Sequence, residues 1–171
     1  MDPGEGFQAR AVAGAGYGHT IMVTARILSR YQGPPPPPAS EGADRSLGMT
    51  EPLYSVQDVA EALRASPLPA MGSRRCAQGW QDLMETLEAQ DEPIPFTQFL
   101  SDAMQYGRWR QAVWCRNEKG HWFAADDWIY EFTYGRHVGR VWREFPVTYY
   151  LKFSITKPGI QIYMLSCHPS S

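Results

Sequence analysis

No stretch of this 171-residue chain approaches the ~18 to 20 consecutive apolar residues that a bilayer-crossing helix needs. The nearest, Thr20 to Leu28, is interrupted by Arg26, which predicts a soluble protein with no secretory signal, no membrane partner and a cytoplasmic location. Cysteine is scarce. Its three copies, Cys76, Cys115 and Cys167, are odd in number and far apart, which fits reduced thiols better than a disulfide framework. Metal-ligand spacings are missing as well. No CxxC, HxxxH or HExxH occurs, and Cys115 with His121, or Cys167 with His168, lacks the further ligands of a tetrahedral zinc site. Neither a metal nor another cofactor is expected. Thiol catalysis would need a base beside the sulfur, and the adjacent Cys167 and His168 diverge if they lie in a strand.

Net charge is also small, −2, but unevenly spread. Residues 1–48 balance at 0, residues 49–105 carry −6 and residues 106–171 carry +4. An acidic middle followed by a basic end either neutralises itself across the fold or offers two binding surfaces, the basic one attracting phosphate.

What the chain does contain divides it into three zones. Residues 1–48 are rich in Gly, Ala and Pro, include the pentaproline Pro34 to Pro38, and show neither a 2- nor a 3.6-residue period. They are expected to form a disordered tail, with Met49 opening the folded unit and offering a second translation start. Residues 49–171 are then a single α+β domain. In its first part, Ser55 with Asp58 forms a capping signature, and Val56, Val59, Ala60 and Leu63 follow on one face until Pro67. Ser73 caps a second helix with the stripe Cys76, Trp80, Leu83, Met84 and Leu87, leaving Asp82, Glu85 and Glu88 toward solvent. Gly79 weakens that helix by roughly 1 kcal/mol relative to Ala. A third helix is expected from a Thr97 cap, with Phe96 as a hydrophobic staple, to Gly107.

Beyond Gly107 aromatic and β-branched residues predominate, which favours strands. Strands are expected at Trp109–Arg116, His121–Ala125, Val138–Arg143, Val147–Thr156 and Ile160–Cys167, with a hairpin turn at Asn117–Gly120 and a short helix capped by Asp126 over residues 126–134. The fold class is therefore α+β, with two or three N-terminal helices packed on one face of a four- to five-stranded antiparallel sheet.

The last two strands carry the residues best suited to chemistry. Alternation places Val147, Tyr149, Leu151, Phe153 and Ile155 on one face and Tyr150, Lys152 and Ser154 on the other. With Pro158 and Gly159 as the turn, Thr156 opposes Gln161, Ser154 opposes Tyr163, Lys152 opposes Leu165 and Tyr149 opposes His168. That register puts His168 on the opposite face from Lys152. A lysine can neutralise charge developing on a phosphate, and a tyrosine or histidine can move a proton; ordinary decoration of an exposed sheet face needs the same residue types.

The run Tyr150-Leu151-Lys152-Phe153, a turn, then Ile162 to Leu165 and Ser166-Cys167-His168 resembles the terminal hairpin of small messenger RNA-cutting toxins of the RelE-like superfamily. The resemblance implies short helices before a curved antiparallel sheet and RNA cleavage without metal, with Lys152, His168 and Tyr150 as catalytic candidates. Arg136, Arg140 and Arg143 are the candidate nucleic-acid contacts. The partners implied are RNA or a cognate antitoxin. The alternative is a non-enzymatic interaction module, an inhibitor or immunity-type protein, that binds a protein partner through acidic helices of residues 51–105 or through the aromatic and basic sheet face.

Overall fold

A computed structural model describes residues 31, 33–38, 42–88, 94–156 and 160–170. In chain order its elements are β1 (Arg45–Ser46), α1 (Val56–Ala65), β2 (Ala70–Met71), α2 (Arg74–Glu88), α3 (Phe96–Tyr106), β3 (Arg108–Arg116), β4 (Trp122–Val138), β5 (Val141–Thr156) and β6 (Gln161–Pro169).

The helices start where local chemistry directs. Ser55 accepts from the Asp58 amide at 3.1 Å while the Asp58 carboxylate accepts from the Ser55 amide at 2.8 Å, a reciprocal capping box that begins α1. The Ser73 hydroxyl accepts from the Cys76 amide and begins α2. The third helix differs from expectation: it starts two residues earlier, on Pro95 with no side-chain cap, and Phe96 is its first, buried residue instead of a staple. Phe96 packs edge-on against Trp80, ring centroids 5.0 Å apart, which anchors the start of α3 on α2.

The sheet runs β1-β3-β4-β5-β6-β2. It is six-stranded and mixed, not a four- to five-stranded antiparallel sheet, because Ala70 and Met71 pair parallel with Tyr163 and Met164 on β6. The other edge is extended by Arg45 and Ser46, which pair antiparallel with Trp114 and Val113. Two-residue strands carry no readable period, so composition alone does not reveal them. The folded part thus reaches back past Met49: Leu47 packs on the core and its amide donates to the Ala112 carbonyl. Residues 1–30 of the expected tail, and the Pro158-Gly159 turn, lie outside the described residues.

All three helices bury their apolar stripes on one face. Leu63, Leu83, Leu87, Phe99 and Leu100 meet Leu151, Phe153, Ile155, Ile162 and Met164 there. The expected helix at 126–134 is instead the middle of β4, and the expected strand at 138–143 is broken by a turn at Gly139 and Arg140: Val138 ends β4, while 141–143 join 147–156 in one strand, β5. Asp126 is not a helix cap. It is fully buried and accepts from the Leu53 and Tyr54 amides, each at 3.0 Å, and from Trp109 Nε1 at 2.9 Å. This carboxylate ties the turn before α1 to the sheet. Just beyond, where the β4/β5 ladder stops at Asp126 and Phe153, the Tyr54 hydroxyl donates to the Ala124 carbonyl and shares a hydrogen bond with Ser154 Oγ. Burial raises its pKa far above the ordinary phenol value, so it remains a neutral structural plug between two parting strands.

Candidate functional site

Three residues expected to carry chemistry share one face of the sheet, the face away from the helices. Near the turn the register agrees with expectation: Thr156 opposes Gln161 and Ser154 opposes Tyr163. A bulge between Lys152 and Phe153 then shifts the pairing, so that Lys152 opposes Ser166 and Tyr150 opposes His168. The extra residue on β6 changes which side chains meet. His168, expected on the far side, lies beside Tyr150 with ring centroids 5.2 Å apart, and its Nδ1 is 2.9 Å from the Pro169 carbonyl.

Proximity does not make Lys152 available. It is 8% exposed, and its ammonium is paired with Asp44, which reaches across from the segment leading into β1. Asp127 is its cross-strand neighbour on β4, and the Tyr150 ring centroid lies 5.6 Å from its Nζ. Burial alone would lower the lysine pKa, but the Asp44 hydrogen bond, with Cys115 and Tyr150, outweighs it and the net shift is upward. Burial pushes Tyr150 up to about 12; Lys152 opposes that and Asp127 adds to it. The cluster therefore holds a fixed cation against a carboxylate and keeps a neutral phenol beside it. Neither group is poised to move a proton near neutral pH.

The three arginines are elsewhere. Arg143 is nine residues along β5 from Lys152, roughly 30 Å at strand rise. Arg136 pairs with Arg143, and Arg140 sits in the two-residue turn after Gly139. Lys152, Tyr150 and His168 thus form one group and Arg136, Arg140 and Arg143 another. The second group belongs to a feature that the sequence pattern did not reveal. β3 last pairs with β4 at Ile129, and β6 last pairs with β5 at Tyr149. The Ser170 amide still donates to the Thr148 carbonyl; beyond Tyr130 on β4 and Val147 on β5 the two strands continue without a third among the described residues, as an arm about 25 Å from base to tip.

The arm's base rests on α3, where Phe99 meets Tyr130, Phe132 and Tyr149 edge-on at 5.5–6.2 Å. Further out, Tyr134 stacks on Phe145 at 5.5 Å and the Arg136 guanidinium lies 4.8 Å from the Phe145 ring centre. At the tip Val138, Val141 and Trp142 are 45%, 57% and 55% exposed. Residues 135–143 contain three arginines and a histidine but no acidic residue. A signal for this turn was present: Val138-Gly139-Arg140-Val141 puts a glycine-led pair between β-branched residues.

Two other features complete the surface. A shallow groove of ≈ 410 Å³ is lined by Gly42, Gly72, Ser73, Arg116, Asn117, Glu118 and Leu165. Its Glu118 carboxylate accepts from the Arg74 amide at 3.1 Å, so a side chain of this chain already answers the α2 N-terminus. On the acidic side, Gln78 and Gln81 donate to Asp82 and Glu85 one turn away along α2. Among the described residues no group of three or more His, Cys, Asp or Glu side chains is arranged to hold a metal ion, and no helix is long and apolar enough to cross a membrane. Comparison with protein-family models, with curated proteins and with solved structures found no match.

Proposed function

We propose that this protein is a non-catalytic nucleic-acid-binding module whose contact element is the β4–β5 arm. The observation that carries the reading is the arm's tip: three exposed arginines and an exposed tryptophan on a ribbon that projects beyond the sheet, with no carboxylate between residues 135 and 143. A polyanion reaching the tip meets three guanidinium groups, with Glu144 beside Arg143 as the nearest carboxylate of the ribbon, and a two-stranded ribbon is slender enough to follow a nucleic-acid backbone or groove. The ribbon's own carboxylates, Glu131 and Glu144, lie behind the tip, and the strongly acidic residues 49–105 precede the ribbon in the chain.

Fluorescence anisotropy with labelled RNA and DNA oligonucleotides tests the reading. The triple variant Arg136→Gln, Arg140→Gln, Arg143→Gln should bind at least tenfold more weakly at ~0.1 M salt. Its salt dependence should flatten by about one unit of slope for each phosphate that is no longer neutralised. Equal binding by wild type and triple variant would remove the arm from the interface.

The second reading is the metal-independent ribonuclease. Its support is the shared face of Lys152, Tyr150 and His168, and it requires Asp44 to leave Lys152. RNA cleavage in chelator, accelerated in Asp44→Ala and abolished in Lys152→Ala, would favour it over the binding module.

A further inference from the structure

Resting on the nucleic-acid reading above, we infer that Trp142 is a preformed stacking platform for an unpaired base, so that the arm prefers single-stranded to duplex nucleic acid. The platform is built by a glycine. A Cβ on Gly135 would lie 2.0 Å from Trp142 Cζ2, 2.4 Å from Cε2 and 2.8 Å from Nε1. The indole therefore occupies the space above the Gly135 backbone that any other residue would fill, and it lies down across the ribbon. Its cross-strand partner His137 meets it edge-on, ring centroids 5.1 Å apart at 71°. One side of the indole is spent on these contacts, yet 55% of the residue remains exposed.

An indole packed against the backbone in this way is already oriented before any ligand arrives, and more than half of the residue faces solvent. Base–aromatic stacking uses such a face and needs a base that is not buried in a duplex. Charge sets the direction of the strand. Glu144, opposite Gly135, places a carboxylate on the inner side of the platform, whereas Arg140 lies at the tip. Phosphates flanking the stacked base are thus drawn outward to Arg140 and round to Arg136 and Arg143 on the other face.

The test compares a labelled 12-mer single strand with its duplex, using the full chain as wild type, Trp142→Ala, Trp142→Phe and Gly135→Ala. Wild type should prefer the single strand. Trp142→Ala and Gly135→Ala should each weaken single-strand binding about tenfold and duplex binding by less than about twofold, with Trp142→Phe restoring part of the loss. Gly135→Ala keeps every charge and only displaces the indole. Quenching of tryptophan fluorescence by the single strand, present in wild type and reduced in Trp142→Phe, places the base on this ring. Equal affinity for both forms, untouched by Trp142→Ala but lost in the triple arginine variant, would overturn the platform while the arm reading stood. No binding of either form would end both, and dimerisation that depends on Trp142 without oligonucleotide binding would assign the surface to a second copy of the chain.

Discussion

Replacing Gly79 by alanine sets two physical effects against each other with opposite sign. In a helix interior, alanine is favoured over glycine by about 1 kcal/mol, so Gly79→Ala should stabilise α2 if only its own backbone matters. Packing says otherwise. A Cβ at position 79 would lie 1.9 Å from the Cys167 carbonyl oxygen, 3.1 Å from its carbon and 3.5 Å from His168 Cα, all backbone atoms of β6. No side chain can rotate away to make room. Restoring an ordinary contact of about 3.5 Å needs α2 to withdraw by roughly 1.6 Å, and a gap of even ~1 Å forfeits up to about half of each van der Waals well along the seam. Cys76, Leu83 and Leu87 of α2, all within 3% of full burial, lie along that seam. Overpacking of this kind costs about 2–3 kcal/mol, against which the propensity gain of ~1 leaves a net loss of about 1–2 kcal/mol. In urea titrations the midpoint should fall at unchanged slope, and Tm should drop by about 3–8 °C. The control is Ala60→Gly at an exposed position of α1, which should lose only the propensity contribution. A Gly79→Ala protein as stable as wild type, or more so, would refute the claim that helix and strand touch backbone to backbone.

The remaining predictions concern buried polar groups and thiols. Asp126→Asn turns one hydrogen-bond acceptor into a donor facing the Leu53 and Tyr54 amides or Trp109 Nε1, leaving a buried donor unpaired; a loss of about 2–3 kcal/mol in denaturant titrations is expected, and a neutral effect would contradict the clamp. Asp44→Asn strands the ammonium of Lys152, and because Asp44 is half-exposed the cost should fall between surface and buried pairs, about 1–3 kcal/mol. Lys152 has a raised pKa in the folded state, so the pair's contribution is fully present below the ordinary lysine range and declines only as pH rises through the folded value; a difference between wild type and Asp44→Asn that vanished by pH 8 would be inconsistent with it. Burial pushes Cys76 and Cys115 up to about 12 and Cys167 upward as well, so all three thiols should resist a disulfide reagent at pH 8 in the native protein and react together once unfolded.

The helices were legible because their signals are local. Ser55, Asp58, Ser73 and the stripes beneath them act within a turn or two, and the structure uses them as such. The sheet was less so, for reasons that specific residues show. Asp126 read as a cap because adjacent carboxylates inside a strand are expensive unless donors arrive from elsewhere, and the donors to Asp126 and Asp127, Leu53, Tyr54 and Gln111, are remote in sequence. Pro146 lies in the gap expected between strands at 138–143 and 147–156, yet it pairs opposite Thr133 in a stretch where, among the described residues, β5 has β4 as its only neighbour, and a proline is tolerated where no second ladder needs its amide. The single-residue bulge at Lys152 moved His168 to the other face, a change no period-2 reading can foresee. For the candidate site, sequence grouped Lys152 with the arginines because they are close in number, whereas an extended strand carries nine residues far apart.

That separation also limits how a partner can hold the arm. A two-stranded ribbon is marginal by itself in water, and this one is held by Tyr134 on Phe145, Arg136 over Phe145, and Trp142 lying on Gly135. The residues that stabilise the ribbon are thus largely the residues it displays. Addition of a further strand to its open edges is a poor route to binding, because Pro146 interrupts one ladder and Glu131, Arg136, Arg143 and Glu144 charge both strands. In the proposed reading, recognition runs through the two side-chain faces, and these differ: paired arginines on one, an indole packed on a glycine on the other. A ligand that wraps the tip can use both at once. A flat surface reaches only one, which makes a flexible polyanionic strand a better match to this arm than a rigid face.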